Sequence, residues 1–177
     1  MTGEPAGPVS TGPPGGETMP GLAEALSLLA SGVTLVMVAD GRDDIGVTVS
    51  AFCPVSLSPA LVMVSLIAGS YPAEVLGRVD RFAVVLLTAG QRALAGRFAV
   101  AGRPGARLLL EGIAHRRGEL SGALIPGGGL AALECEVTRR LPAGDHMLAL
   151  ARVLAVPYVA DAGEPLIRFA GRYPPLR

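Results

Sequence analysis

Between Gly46 and Val62 the chain reads GVTVSAFCPVSLSPALV, two apolar runs joined through small hydroxyl side chains. Val47, Val49 and Val55 alternate with Thr48, Ser50 and Ser56, the period-two pattern of a strand with one buried face. Pro54 limits how that run can pair. A proline donates no amide hydrogen, so the ladder breaks or bulges there, and nearby amides and the Thr48 and Ser50 hydroxyls are left to face something else. The segment therefore demands a sheet with a polar notch in it.

Elements can be placed around this segment in order. Residues 1–20 are rich in Pro and Gly with little apolar surface, which reads as a disordered tail preceding a single domain over 21–177. Leu22, Ala25, Leu26 and Leu29 recur at helical spacing, which predicts a short amphipathic helix over 21–31 with Gly32 capping its end. A strand follows over 33–39, and Asp40-Gly41 opens a turn. Residues 61–67 are apolar apart from Ser65, as in a strand buried on both faces. Pro72 suits the first turn of a helix reaching Val79, entered at Ser70 or Tyr71. A strand over 81–88, a helix over 90–99 and a loop over 100–107 come next. Strand-like runs at 108–114, 130–139, 146–156 and 165–169 complete the chain, separated by Gly, Pro and Asp turns. Seven or eight strands with three short helices, irregularly spaced, exclude a repeat protein and a doubly wound parallel sheet; closing the sheet into a barrel removes its edges.

Composition excludes several functions. The 15 basic residues balance 15 acidic ones, without a basic run, so no nucleic-acid partner is expected. No stretch approaches the ~20 apolar residues that span a bilayer, and no secretory signal is evident, so the expectation is a cytoplasmic protein without a membrane partner. Every basic residue is arginine, which excludes Schiff-base chemistry on lysine. Cys53 and Cys135 lack metal-ligand spacing and read as buried, reduced thiols. Glu134 and Glu136 read as a solvent-facing strand edge, and His115, beside Arg116 and Arg117, as solvated surface. No GxGxxG follows a strand into a helix and no GxSxG is present.

The central segment also carries a resemblance. Thr48-Val-Ser-Ala-Phe52, followed by Val55-Ser-Leu-Ser-Pro59 and an apolar strand, resembles the TxSSF…VSLxPP signature of the flavin reductase-like family, the FMN-binding split barrels. Further matches keep the family's order. Ser31-Gly-Val-Thr34 resembles its TGVT opening, Arg81-Phe-Ala-Val84 its FAV strand and Arg97-Phe-Ala99 its RFA helix end. Leu133-Glu-Cys135, Gly144-Asp-His146 and Gly171-Arg-Tyr173 resemble its LEC, GDH and GRY motifs.

The resemblance implies a mainly β fold with short helices, a split β-barrel acting as an NAD(P)H:flavin oxidoreductase. FMN or FAD would be the flavin and NADH or NADPH the co-substrate. It further implies a homodimer that passes reduced flavin to a monooxygenase. By resemblance, Thr48, Val49, Ser50, Ala51 and Phe52 hold the flavin, and Ser65, Gly69, Ser70, Tyr71 and Arg107 complete its site. His146 is the implied catalytic residue, with Asp145, Arg172 and Tyr173 binding the nicotinamide substrate.

The phosphate end departs from the family pattern. Tyr71, Val85 and the region of Gly105 and Arg107 stand where relatives carry arginine, asparagine and lysine. Ser70 and the amides entering the following helix remain to receive an anion. Arg152 also stands where relatives often carry glutamate. These departures keep an alternative open, a repurposed split barrel that binds or cyclises an organic metabolite with little flavin reductase activity.

Overall fold

A computed structural model describes residues 19–41 and 43–176. Most of the expected tail, residues 1–18, lies outside the described residues. The chain runs α1 (Leu22–Ser27), β1 (Ser31–Gly32), β2 (Thr34–Ala39), β3 (Asp44–Val49), β4 (Phe52–Leu57), β5 (Ala60–Ile67), α2 (Tyr71–Arg78) and β6 (Arg81–Leu86). A 3-10 turn at Ala89–Gln91 leads into α3 (Arg92–Ala99) and α4 (Ala106–Leu109). Five strands follow: β7 (His115–Arg117), β8 (Leu124–Pro126), β9 (Ala131–Ala143), β10 (His146–Val159) and β11 (Ile167–Arg168).

Seven strands form one antiparallel sheet in the order β3-β2-β6-β9-β10-β5-β4. β3 and β4 are joined through Ser50 and Ala51 alone, yet they occupy opposite ends of that order. The sheet must therefore curl until its ends meet, which makes a barrel split along one seam. The Ser65 amide donates to the Ala51 carbonyl at 3.0 Å, which carries the β4–β5 pairing one residue into the joint.

Both faces of the central strands are buried. On β2, Leu35 and Met37 enter one apolar cluster, the outer core, with Phe98, Leu110 and Ile125, while Val36 and Val38 enter another, the inner core, with Val64, Leu76 and Phe82. Burying such a side chain contributes about 1.5–3 kcal/mol, so the two cores, one on each face of the sheet, hold the curl. Gly46 is obligatory in this packing. A Cβ there would lie 2.6 Å from Phe98 Cδ1 and 2.7 Å from the Met37 sulfur, so only glycine lets α3 close on β3.

Several expectations are corrected. The run at 108–114 is no strand: residues 106–109 form α4 and turns follow, because Leu110 and Ala106 pack inward as helical neighbours rather than alternating. α1 is shorter than expected, buries none of its residues, and Gly32 sits in β1 instead of capping it. β5 alternates, with Val62, Val64 and Leu66 buried and the intervening residues partly open, because one of its faces points away from the barrel interior. Pro54 does mark an irregularity, a register shift between Pro54 and Ser56 in the β4–β5 pairing.

Glu134 and Glu136 lie on β9, the middle strand, not on an edge. Glu134 is buried; its Oε1 accepts from the Leu120 and Ser121 amides and the Ser121 hydroxyl at 2.7–3.0 Å. Burial pushes its carboxyl up, but those bonds outweigh burial and hold it below the usual glutamate range. Cys53 is exposed rather than buried, whereas Cys135 is buried and its thiol is pushed up to about 12.

Arg152 has a partner that the sequence does not reveal. It donates to Glu136 Oε2 at 2.8 Å across the β9–β10 ladder, and Arg81 takes Glu136 Oε1 from the strand on the other side.

Candidate functional site

A cleft of about 580 Å³ opens along β3 and the seam. Its volume falls within the range of small-molecule sites. Thr48 through Ala51 form one wall, because β3 ends the sheet order and offers one backbone edge that no strand among the described residues pairs. Ser65 on β5 and Ser70 with Tyr71 at the start of α2 face it. Ser70 caps α2: its hydroxyl donates to the Ile67 carbonyl at 2.6 Å and accepts from the Ala73 amide at 3.4 Å.

The third wall is the loop 99–105, and sequence reasoning missed its main side chain. Arg103 lines the cleft, donating Nε to the Gly46 carbonyl at 2.7 Å and Nη1 to the Val100 carbonyl at 3.0 Å. Burial pulls its guanidinium below the usual arginine value, yet arginine stays charged at any physiological pH. Gly105 lets the loop close: a Cβ there would lie 2.8 Å from Asp43 Oδ2. An arginine flanked by Gly102, Pro104 and Gly105 is the signal that a closer reading would have used, since small residues let a loop lie flat on a neighbouring strand.

Arg107 is placed elsewhere. Its Nε donates to Asp44 Oδ2 at 2.6 Å, and Arg117 takes the same carboxylate through both terminal nitrogens at 2.9 Å. Burial pushes the Asp44 carboxyl up, but the hydrogen bonds and charges of Arg117 and Arg107 hold it below the usual aspartate range. Asp44 therefore ties β3 to α4 and β7, behind the cleft rather than in it.

His146 lines the cleft at the first residue of β10. The β9–β10 hairpin turns through Gly144, φ 60°, and Asp145, and pairs His146 with Ala143. His146 Nδ1 lies 2.7 Å from Asp145 Oδ1. That hydrogen bond, the foremost cause, holds the Asp145 carboxyl below its usual range, so it accepts and Nδ1 carries the hydrogen. Nε2 is then the ring nitrogen left for a ligand.

The remaining expected residues do not line the cleft. Phe52 packs on the inner core, and Gly69, φ 73°, makes the turn before Ser70. Arg172 closes a hairpin with Phe169, and Tyr173 packs on the outer core beneath Arg92, whose guanidinium lies 5.6 Å from the ring centre. Arg168, unforeseen from sequence, does line the cleft.

Comparison with known proteins agrees with this geometry. The model of the flavin reductase like domain matches residues 26–177. An NADH-dependent FMN reductase of Streptomyces nodosus subsp. asukaensis is 37% identical over 166 residues, covering 90% of this chain and 88% of that protein. The reductase component of a 4-hydroxyphenylacetate 3-monooxygenase from Thermus thermophilus is 37% identical over 150 residues, covering 85% and 91%. The solved NADH:FAD oxidoreductase of Streptomyces globisporus, in complex with NAD and FAD fragments, superposes with a TM-score of 0.80 at 30% identity, covering 88% and 91%. A split barrel whose seam exposes a bare strand edge, with family motifs along that edge and a matching domain over nearly all of the folded chain, makes this protein a member of the flavin reductase-like family.

Proposed function

We propose that the protein is an NADH-dependent flavin reductase that reduces FMN or FAD and releases it to a separate monooxygenase. The observation that carries this is the cleft along β3: small residues, one open backbone edge, and an arginine and a histidine at its margins.

The residues present fit a flavin. The unpaired edge of β3, together with the Thr48 and Ser50 hydroxyls, offers hydrogen-bonding groups at close range because no bulky side chain intervenes. Arg103, held by two carbonyls in the cleft wall, is a cation that can meet a flavin phosphate in a chain without lysine. The bound flavin supplies the ring that accepts a hydride. The chain's own residues bind and orient: Asp145 fixes the His146 imidazole, which presents Nε2 toward the co-substrate.

The working unit is a homodimer. Val55, Leu57 and Ile67 on β4 and β5, with Val156 and Val159 on β10, are exposed on neighbouring strands, an apolar face that a second copy can cover. The expected location is the cytoplasm; no helix among the described residues is long and apolar enough to cross a membrane.

The decisive experiment follows nicotinamide absorbance with NADH and either flavin. Flavin-stimulated NADH oxidation is expected. Its absence with both flavins and both nicotinamides would favour the metabolite-binding alternative. An Arg103→Gln variant should weaken FMN about tenfold while leaving riboflavin nearly unchanged, because only FMN carries the phosphate.

A further inference from the structure

The cleft is poorer in phosphate donors than its lining suggests. Ser70 begins α2, but its hydroxyl hydrogen goes to the Ile67 carbonyl at 2.6 Å. In the first turn that follows, the Ala73 amide donates to Ser70 Oγ at 3.4 Å, the Glu74 amide donates to the Ser70 carbonyl at 2.9 Å, and Pro72 has no amide hydrogen. Only the Tyr71 amide is left in that turn. Arg107 and Arg117 both turn to Asp44, which leaves Arg103 as the cation beside the start of β3.

A carboxylate shares that wall. Asp43, exposed and one residue before β3, lines the cleft. It is oriented from two sides: Oδ1 accepts from the Asp44 amide at 2.8 Å, and the group lies against Gly105, where a Cβ would stand 2.8 Å from Oδ2. Gly105 is two residues from Arg103, no more than about 7 Å of chain. Gly46, whose carbonyl holds the Arg103 guanidinium, is three residues from Asp43, roughly 10 Å of strand. No ion pair among the described residues involves Asp43. Its charge therefore acts on whatever meets Arg103, at a separation comparable to the ~8–10 Å over which salt screens.

The two candidate flavins differ in charge at the phosphate. FMN ends in a phosphomonoester carrying about −1.5 to −2 at pH 7. The corresponding phosphate of FAD carries a single charge, because one more of its oxygens is bonded into the diphosphate. Beside Arg103 and Asp43, whose charges cancel, repulsion from the carboxylate is nearly twice as large for FMN.

We propose that Asp43 is a specificity-determining residue, which sets the cleft against the terminal phosphomonoester of FMN and in favour of FAD. This rests on the reductase reading above, in which Arg103 meets the flavin phosphate.

The test is calorimetric titration of the full chain with riboflavin, FMN and FAD, without nicotinamide. The wild type should bind FAD more tightly than FMN. Asp43→Asn, which keeps an acceptor for the Asp44 amide, should tighten FMN about fivefold and FAD about twofold and leave riboflavin unmoved. Asp43→Ser also keeps an acceptor and should tighten FMN in the same way. A merely structural role for Asp43 would move all three flavins together. Salt gives a readout that needs no substitution. With the two protein charges cancelling, wild-type FMN affinity should change less than twofold between about 50 and 500 mM salt, whereas the FMN affinity of Asp43→Asn should fall as salt rises. The proposal is overturned if the wild type binds FMN more tightly than FAD, if its FMN affinity falls steeply with salt, or if Asp43→Asn leaves FMN unchanged or tightens riboflavin equally. The expected Asp43 pattern without flavin-stimulated NADH oxidation would remove the reductase reading and keep this one; NADH oxidation with an unmoved FMN constant in Asp43→Asn would do the reverse.

Discussion

His146 Nδ1 and Asp145 Oδ1 stand 2.7 Å apart, so the imidazole is oriented by the residue just before it in the chain. Removing the ring by His146→Ala should leave flavin affinity within twofold and weaken NADH use. The loss should be about fivefold if one hydrogen bond of ~1 kcal/mol disappears, and ~100-fold if the donor carbon is misplaced. Asp145→Asn retains an acceptor oxygen and should fall between wild type and His146→Ala. Steady-state rates beside flavin titrations separate the two effects; wild-type NADH kinetics in His146→Ala would reduce the histidine to a turn residue.

Asp44 gives the stability a defined pH dependence. Its carboxyl is held below the usual range, so its contribution is complete above the unfolded value of about 3.9 and is lost as pH falls through the lower folded value. Asp44→Asn should cost about 2 kcal/mol at pH 7, less than a fully buried pair, because Arg107 and Arg117 keep contact with water. The gap between variant and wild type in urea unfolding should narrow steadily below about pH 4. A gap that persists unchanged at pH 2 would show that the charge pair is not its source.

Gly46→Ala should destabilise by about 1–3 kcal/mol, because the new methyl meets the Phe98 ring and the Met37 sulfur. Since the Gly46 carbonyl also receives Arg103, FMN affinity should fall with stability. An unfolding midpoint equal to wild type would mean that α3 shifts freely.

The hairpin at Phe169–Arg172 turns through Ala170, φ 48°, and Gly171, φ 71°. Two successive positive φ angles favour Asn-Gly over Ala-Gly. Ala170→Asn should therefore stabilise the fold by about 0.5–1 kcal/mol, roughly 1–4 °C in Tm. A lower Tm would show that the methyl has a packing role.

Leu57 is 96% exposed on β4, an orphan unless a second copy covers it. Leu57→Arg should shift the protein to monomer in light scattering and leave the monomer folded. A wild-type protein that is itself monomeric at micromolar concentration, with full activity, would remove the dimer from the mechanism.

The sequence revealed the fold more fully than the site. Period-two valines, Pro54 and the turn glycines announced the strands, since alternation and missing donors act locally. The 108–114 run misled because short apolar stretches look alike whether helical or extended, and only contact with the core at Ala106 and Leu110 separates them. The β3 wall and His146 were legible because their motifs are contiguous. Arg103, Arg168 and the Glu136–Arg152 pair were not, because each acquires its meaning from a strand or loop distant in sequence.

The seam between β3 and β4 also bears on how the molecule assembles. Hairpins β2–β3, β4–β5 and β9–β10 join neighbours in sequence and can form early, whereas β6–β9 and β10–β5 close long loops and carry the larger entropic barrier. Ser50 and Ala51 reach their final places only once both halves have met, so the cleft is among the last parts to form on folding. A ligand that occupies it bridges the two ends of the sheet and favours the closed state by mass action. Protease resistance of the Ser50–Ala51 joint should therefore rise with flavin concentration, while the β9–β10 hairpin stays equally protected throughout.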